Sequence, residues 1–371
     1  MVDGFRVCLP SKKVWQCYAS AVTILPELPR SMHRALAKQG WLYGKKFNQW
    51  GNPFLWIDGP LHIPHSSSQS EHLAGWVSSY YDAFPALPEL DGTRYRELLD
   101  RLSSDFRELI NHLLPPFVFS ESDITRYVYG LSTARAQDVR VLEVFAPELD
   151  LTTVSQLDFG PGMGVSAVWN TAIGGEGARY TAVEIDDKNY ALQRSVFSYL
   201  AARSDYRYFD ALAAEGMIPD ATLDSELNSP AVRIAHVPSW HMGSVNDHSQ
   251  DLVTATTVLN EVGHAAIGHF VSQANRVLRP GGYVYIRDSG RTKPGRHGID
   301  YESFLASIGY KRVDELKVIH RSNMHGVPRL WKKESHLDLG FDEVMQELVG
   351  DQAVVTHGSD YVHSISSAYT K

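Results

Sequence analysis

The stretch LDFGPGMG, residues 157–164, constrains the fold of this chain more than any other part of it. Glycine stands at every second position, at Gly160, Gly162 and Gly164, directly after the apolar segment VSQLDF. Glycine adopts positive backbone φ without steric cost and lets a ligand approach backbone N–H groups closely. The stretch therefore predicts a strand, a tight turn and a helix, with the turn as a candidate ligand-binding loop.

The residues after this loop alternate between short apolar segments and helical patterns. ARYTAVEID, AVRIAHV, DLVTATTVL and GGYVYIRD are predicted as strands, and DELKVIH, RLWKKE and YVHSIS as late strands. KNYALQRSVFSYLAAR and AIGHFVSQANRVL have the apolar spacing of helices. Alternation of this kind predicts a parallel, doubly wound sheet of the Rossmann-like α/β class. The polar stretch 205–230 is predicted to be either an insertion near a ligand or a surface loop.

The first part of the chain has a different pattern. Residues 1–65 are irregular and rich in aromatic residues, glycine and proline, which indicates an arm packed over another part of the protein. Helical patterns follow, as in TRYRELLDRLSSDFRELINHLL and SESDITRYVYGL. We therefore divide the chain into an aromatic arm with a mostly helical cap, residues 1–150, and an α/β domain, residues 151–371.

Composition excludes several classes of protein. The net charge of −8 argues against a nucleic-acid-binding surface. No apolar run approaches the roughly 18 residues of a membrane helix, and the N-terminus has no signal-peptide pattern. Two cysteines suffice neither for a disulfide framework nor for a zinc site. We expect a cytoplasmic protein whose partners include neither nucleic acid nor membrane.

An acidic residue in the second strand indicates what the glycine loop binds. Glu184 ends that strand, where a carboxylate accepts hydrogen bonds from both hydroxyls of a ribose, so an adenosine-containing cofactor is predicted. Dinucleotide sites favour the spacing G-x-G-x-x-G, but the loop has G-x-G-x-G. Asp158 beside it would repel a pyrophosphate and suit a sulfonium with its ammonium group. An NAD-dependent oxidoreductase is therefore the less favoured alternative.

These motifs together resemble those of class I S-adenosylmethionine-dependent methyltransferases, over residues 154–333. LDFGPGMG is similar to the family's glycine motif, VEID to its ribose-binding strand end, DLVTATTVL to its fourth-strand motif and VLRPGGYVYIRD to the turn into strand five. The resemblance implies S-adenosylmethionine as cofactor and methyl transfer to a small molecule, as in sugar or natural-product O-methyltransferases. An N-methyltransferase of a small molecule and a non-catalytic subunit that kept the fold are the alternatives.

The resemblance also assigns residues to the cofactor. Those implied at the methionine moiety are Asp158, Gly160, Pro161, Gly162 and Gly164; Glu184 is implied at the ribose, Ile185, His241 and Met242 at the adenine, and Asn260 elsewhere in the cofactor site. The family often has an acidic residue after the third strand. The segment WHMGSV has none, which indicates that a backbone group holds the adenine amino group.

The acceptor side is predicted where strands four and five end. Transfer to a hydroxyl oxygen requires a general base or a metal, and the candidate bases are Glu261, His264 and Asp288. Plant-type O-methyltransferases have a histidine base where Asn260 stands, so this chain departs from that mechanism. We predict no metal site, because Glu261 and Asp288 have no evident third ligand.

Basic residues surround the end of the fifth strand. They are Arg287, Arg291, Lys293 and Arg296. Such a group either attracts an anionic acceptor or forms a solvated loop, and both interpretations stay open. A homo-oligomer is also compatible with the sequence.

Overall fold

The computed structural model describes residues 46–47, 53–54, 93–113, 121–184, 187–256, 258–259, 264–288, 301–314, 327–334, 339–340, 343–344 and 347. The strands are β1 Lys46–Phe47, β2 Pro53–Phe54, β3 Ser155–Phe159, β4 Arg179–Glu184, β5 Arg207–Asp210, β6 Val232–Pro238, β7 Gln250–Thr256, β8 Leu278–Asp288, β9 Tyr310–Arg312 and β10 Val327–Lys333. The α-helices are α1 Thr93–Leu113, α2 Glu121–Phe145, α3 Val165–Ile173, α4 Asp187–Ser204, α5 Ala211–Ala214, α6 Asp220–Leu227, α7 His264–Val277 and α8 Tyr301–Ser307, and a 3₁₀ segment spans Ser239–Ser244.

Eight strands form one sheet in the order β5-β6-β4-β3-β7-β8-β10-β9. The six strands from β5 to β8 are parallel, with β3 in the middle between β4 and β7. Nearly every residue of β3 and β4 is buried, as expected for strands covered by helices on both faces. This arrangement confirms the predicted Rossmann-like α/β class.

The predicted parallel sheet has an antiparallel edge. Strand β10 runs antiparallel to both β8 and β9. Antiparallel neighbours can follow each other directly, whereas parallel neighbours need a crossover connection. Strand β10 overlaps the predicted RLWKKE, but the predicted strands DELKVIH and YVHSIS lie mostly or wholly outside the described residues.

The polar stretch 205–230 contains regular structure. Strand β5 extends the parallel sheet beyond β6, and the helices α5 and α6 follow it. Asp210 begins α5 by accepting a hydrogen bond from the backbone N–H of Ala213, at 3.0 Å. The surface-loop interpretation is therefore wrong for this stretch, because four residues of it pair with β6.

Each face of the sheet has its own apolar core. On one face Leu157 and Phe159 pack with Phe270 of α7 and Phe304 of α8. The other face carries α1, α2, α3 and α4 in one continuous core. The helices predicted as a cap thus share a core with the α/β domain, while the proposed boundary at residue 150 stays a prediction. The helix predicted in SEHLAGWVSSYYDAF lies outside the described residues.

Candidate functional site

The loop after β3 has the backbone geometry that its glycines predict. Gly160 and Gly162 both have φ of 60°, and Gly164 has φ of 81°. The N–H of Gly160 donates to the carbonyl oxygen of Val183 in β4, at 2.8 Å. Three left-handed residues within five positions turn the chain from β3 into α3 and keep the loop against β4.

Space as well as φ requires glycine at two of these positions. A Cβ atom at Gly160 would lie 2.4 Å from Cγ2 of Val258, and one at Gly164 would lie 2.7 Å from Cε1 of Phe197. Carbon atoms in van der Waals contact are about 3.5–4.0 Å apart, so either side chain would displace its neighbour. The loop is packed from behind and keeps the conformation that the site needs.

One side-chain amide joins the glycine loop to Glu184. Nε2 of Gln193, on α4, donates to the carbonyl oxygen of Gly162 and to Oε2 of Glu184, both at 2.6 Å. Glu184 is the last residue of β4, and β3 and β4 are parallel neighbours. The loop and the predicted ribose-binding carboxylate therefore lie together at the carboxyl edge of the sheet, where α/β proteins bind ligands.

Asp158 lies behind the glycine loop, with an exposed fraction of 1%. Its Oδ2 accepts a hydrogen bond from Tyr180 at 2.8 Å, and its Oδ1 accepts one from Thr254 at 2.7 Å. Burial raises the pKa of this carboxyl group, while hydrogen bonds from Thr254, Tyr180 and Ser166 act to lower it. Asp158 ties β3 to β4 and β7, and its direct contact with the methionine moiety stays a prediction.

The side chain of His236, on β6, is fully buried beside Gln193. Its ring stacks on Tyr190 with centroids 3.5 Å apart, and its Nδ1 lies 3.1 Å from the hydroxyl of Tyr208. Burial lowers the pKa of His236 to about 3, because the charged imidazolium would lose its hydration. The histidine is therefore neutral in the folded protein throughout the physiological range.

This buried histidine predicts a pH dependence of stability. Its pKa is lower in the folded state than in the unfolded state, so protons bind preferentially to the unfolded chain. The free energy of unfolding is expected to fall as pH drops below about 6.5, by up to about 1.4 kcal/mol per pH unit from this group. Denaturant titrations at pH 6.5 and 4.5 should show a steeper loss for the wild type than for His236→Phe. Equal losses in both proteins would contradict the neutral, buried histidine.

The segment after β6 carries the residues assigned to the adenine. Met242 is fully buried in the apolar core, and Nε2 of His241 lies 3.4 Å from a carboxylate oxygen of Glu215. The segment itself has no acidic residue, but the tertiary structure brings Glu215 to it from the end of α5. No local signal could have identified this residue. The adenine roles of His241 and Met242 stay predictions, and Ile185 lies outside the described residues.

The backbone places two of the three candidate bases at the same edge. Asp288 is the last residue of β8 and His264 the first of α7, and β8 runs parallel to β7. The carboxyl ends of these strands meet beside that of β3, as the prediction requires. Glu261 and Asn260 lie outside the described residues, as do Arg291, Lys293 and Arg296. Among the described residues, no group of three or more histidines, cysteines or carboxylates could hold a metal ion.

Arg287 does not belong to a solvent-facing basic group, which corrects one prediction. Its side chain is 2% exposed and pairs with Asp138 of α2, at 2.7 Å between Nη2 and Oδ1. Arg135 pairs with the same carboxylate at 3.0 Å, and the hydroxyl of Tyr285 donates to it. The guanidinium of Arg287 is buried between the sheet and α2 because Asp138 of that helix faces it.

Arg135 of α2 also contacts the first turn of α3, the helix that follows the glycine loop. Arg135 donates from Nη1 to the hydroxyl of Ser166 at 3.3 Å, and Ser166 hydrogen-bonds Asp158. We call Arg135, Asp138 and Arg287 the buried ionic cluster. The sequence patterns did not predict this cluster, because Arg287 lies on β8, far in sequence from Arg135 and Asp138, and the only local signal is the i,i+3 spacing of those two on α2.

The order of the strands and the glycine loop at the carboxyl edge define a Rossmann-like class I methyltransferase fold. Residues 157–286 match the model of a family described as a methyltransferase domain, and this range extends from β3 into β8. The match confirms S-adenosylmethionine as the cofactor that we predicted. Among curated proteins, none matches the chain in sequence. No described helix is both long and apolar enough to cross a membrane.

Several solved structures resemble the chain at low identity. The YcgJ protein from Bacillus subtilis is 13% identical with a TM-score of 0.27, covering 41% of this chain and 51% of its own. Burkholderia thailandensis 1,6-didemethyltoxoflavin-N1-methyltransferase is 15% identical with a TM-score of 0.37, covering 68% and 94%. Haemonchus contortus phosphoethanolamine N-methyltransferase 1 is 14% identical with a TM-score of 0.33, covering 77% and 54%. The chain thus spans about half the length of the first and third proteins.

Proposed function

We propose that this protein is a methyltransferase that transfers a methyl group from S-adenosylmethionine to a small-molecule acceptor, at a hydroxyl oxygen. The observation that carries the proposal is the pairing of the left-handed glycine loop with Glu184 through the amide of Gln193. In this arrangement one end of the cofactor can approach the backbone of the glycine loop closely, and the carboxylate of Glu184 can bind its ribose.

The residues of the chain have separate tasks in this reaction. When bound, S-adenosylmethionine supplies an electrophilic methyl group on a sulfonium. Gly160, Gly162 and Gly164 give the cofactor access to the backbone, and Glu184 accepts the ribose hydroxyls. A base at the ends of β7 and β8 takes the acceptor's proton, for which Glu261, His264 and Asp288 are the candidates.

The acceptor is proposed to be a small molecule. Neither nucleic acid nor a membrane is proposed as a partner, in agreement with the net charge of −8. Because Arg287 is paired with Asp138, attraction of an anionic acceptor would rest on Arg291, Lys293 and Arg296. A panel of hydroxylated and amino compounds, with and without carboxylate or phosphate groups, tests the class with methyl-labelled S-adenosylmethionine. Label transfer to a hydroxyl is the expected result, and exclusive transfer to nitrogen would contradict the oxygen proposal.

Replacing Glu184 with alanine tests the cofactor site. A charge-assisted hydrogen bond contributes about 1.5–3 kcal/mol, so affinity for S-adenosylhomocysteine should fall about 10–150-fold. Isothermal titration calorimetry measures the loss, with Glu226→Ala on α6 as the matched surface control. Glu226 pairs with Arg207 and is distant from the loop along the sheet, so this control should keep wild-type affinity.

Competition with NAD separates the two cofactor classes. We expect S-adenosylhomocysteine to bind in the micromolar range and NAD not to displace it. Tight binding of NAD together with no binding of S-adenosylhomocysteine would overturn the proposed function.

A further inference from the structure

Two buried residues outside every predicted site form a series of hydrogen bonds behind the cofactor residues. Gln193 lies on α4 and His236 on β6, and both side chains are fully buried. Neither belongs to the glycine motif or to a strand end. Gln193 nevertheless donates to Gly162 and Glu184, and His236 hydrogen-bonds Gln193.

The hydrogen bonds of Gln193 fix the orientation of its amide. The amide nitrogen has two hydrogens, and it donates to the Gly162 carbonyl and to the Glu184 carboxylate. The amide oxygen then faces Nε2 of His236 at 2.9 Å. Rotation of the amide by 180° would place its oxygen against two acceptors, so only one orientation is favourable.

The orientation of Gln193 in turn fixes the tautomer of His236. Nε2 must carry the proton that it donates to Gln193, so Nδ1 accepts from the hydroxyl of Tyr208, at 3.1 Å. Tyr190 stacks on one face of the ring, and the edge of Phe197 lies at 4.9 Å between centroids. The ring is thus fixed by packing as well as by its two hydrogen bonds.

We propose that Gln193 and His236 are positioning residues for the cofactor, acting through Glu184 and the Gly162 backbone. Tyr208 orients His236, His236 orients Gln193, and Gln193 holds the carboxylate and the loop in one arrangement before the cofactor binds. Such pre-organisation raises affinity because less ordering is left for the binding step. This inference rests on the proposed use of S-adenosylmethionine at this edge.

A double-mutant cycle between Gln193 and Glu184 tests the proposal. Gln193→Met keeps the side-chain length but removes both donors. In the wild-type background it should weaken binding of S-adenosylhomocysteine about tenfold, and in the Glu184→Ala background by less than about threefold. Gln250→Met is the matched control, since Gln250 is a buried glutamine at the amino end of β7 and should leave affinity unchanged.

A second measurement separates positioning from simple packing. The analogue of S-adenosylhomocysteine without the ribose 2′-hydroxyl should bind the wild type more weakly than the parent compound. Gln193→Met should lose most of that preference, and His236→Phe, which keeps an aromatic ring against Tyr190, should lose part of it. A variant that merely loosened the core would weaken both ligands equally.

The outcomes separate this inference from the proposed function. Equal losses in both backgrounds, with the ribose preference intact, would overturn the positioning roles. Failure of the wild type to bind S-adenosylhomocysteine would instead overturn the proposed function. If Gln193→Met does not fold by circular dichroism, Gln193→Glu carries the same cycle, because it keeps the shape and polarity and places a second carboxylate against Glu184.

Discussion

Replacing Asp138 with alanine is expected to lower the free energy of unfolding by about 3–5 kcal/mol. The substitution leaves two buried guanidinium groups, those of Arg135 and Arg287, without the carboxylate that compensates their charge. Removal of one partner from a buried ion pair has a cost of this size, because a desolvated charge stays behind. Denaturant unfolding followed by circular dichroism measures the change.

Two further variants show that the loss comes from uncompensated charge. Glu143→Ala removes the ion pair between Glu143 and Arg140 on the same helix. The side chain of Arg140 is 41% exposed, so the free energy of unfolding should fall by less than about 1 kcal/mol. Replacing Arg135, Asp138 and Arg287 together with Met, Leu and Met should recover most of the stability, since none of the three charges of this cluster is left. A triple variant as unstable as Asp138→Ala would contradict this explanation.

Removal of the catalytic base is expected to lower turnover by about 10²–10⁴-fold, the usual contribution of general-base catalysis. The candidates are Glu261, His264 and Asp288, each replaced singly by alanine. Affinity for S-adenosylhomocysteine should stay near the wild-type value, because the proton is removed in the transition state and not on cofactor binding. Steady-state kinetics on the identified acceptor, with calorimetry on the same samples, checks both parts.

The pH profile distinguishes the candidates. Turnover that rises with pH through an apparent pKa of about 6–7 favours His264 over either carboxylate. A chelator is the control for metal assistance, and we expect it to have no effect. If all three variants keep wild-type turnover, no base acts at these positions, and N-methylation of a neutral amine or catalysis by orientation alone becomes the better account.

The buried ionic cluster connects a helix outside the matched domain to the strand and the helix on either side of the glycine loop. Helix α2 precedes residues 157–286, yet Asp138 holds Arg287 near the end of β8 and Arg135 reaches Asp158 through Ser166. The methyltransferase domain therefore depends on α2 for part of its internal charge balance. We expect a shortened chain that begins at residue 150 to be markedly less stable than the full chain.

Local sequence patterns were sufficient to predict the α/β class, the glycine loop and the position of Glu184. These features follow from local rules: strands and helices have different apolar periods, and left-handed backbone favours glycine. The parallel register of β3 and β4 then places the loop and the carboxylate at one edge, as predicted. The cofactor was implied by the resemblance of several such motifs to those of class I S-adenosylmethionine-dependent methyltransferases.

The polar groups that face each other across elements became known only from the folded structure. The pairing of Arg287 with Asp138, the contact of His241 with Glu215 and the hydrogen bonds of Gln193 join residues distant in sequence. Local patterns do not identify such partners, so Arg287 was predicted either to attract an anionic acceptor or to lie in a solvated loop, although it is buried. The antiparallel direction of β10 and the edge strand β5 were not predicted either, since the direction and pairing of a strand depend on its neighbours in the folded sheet.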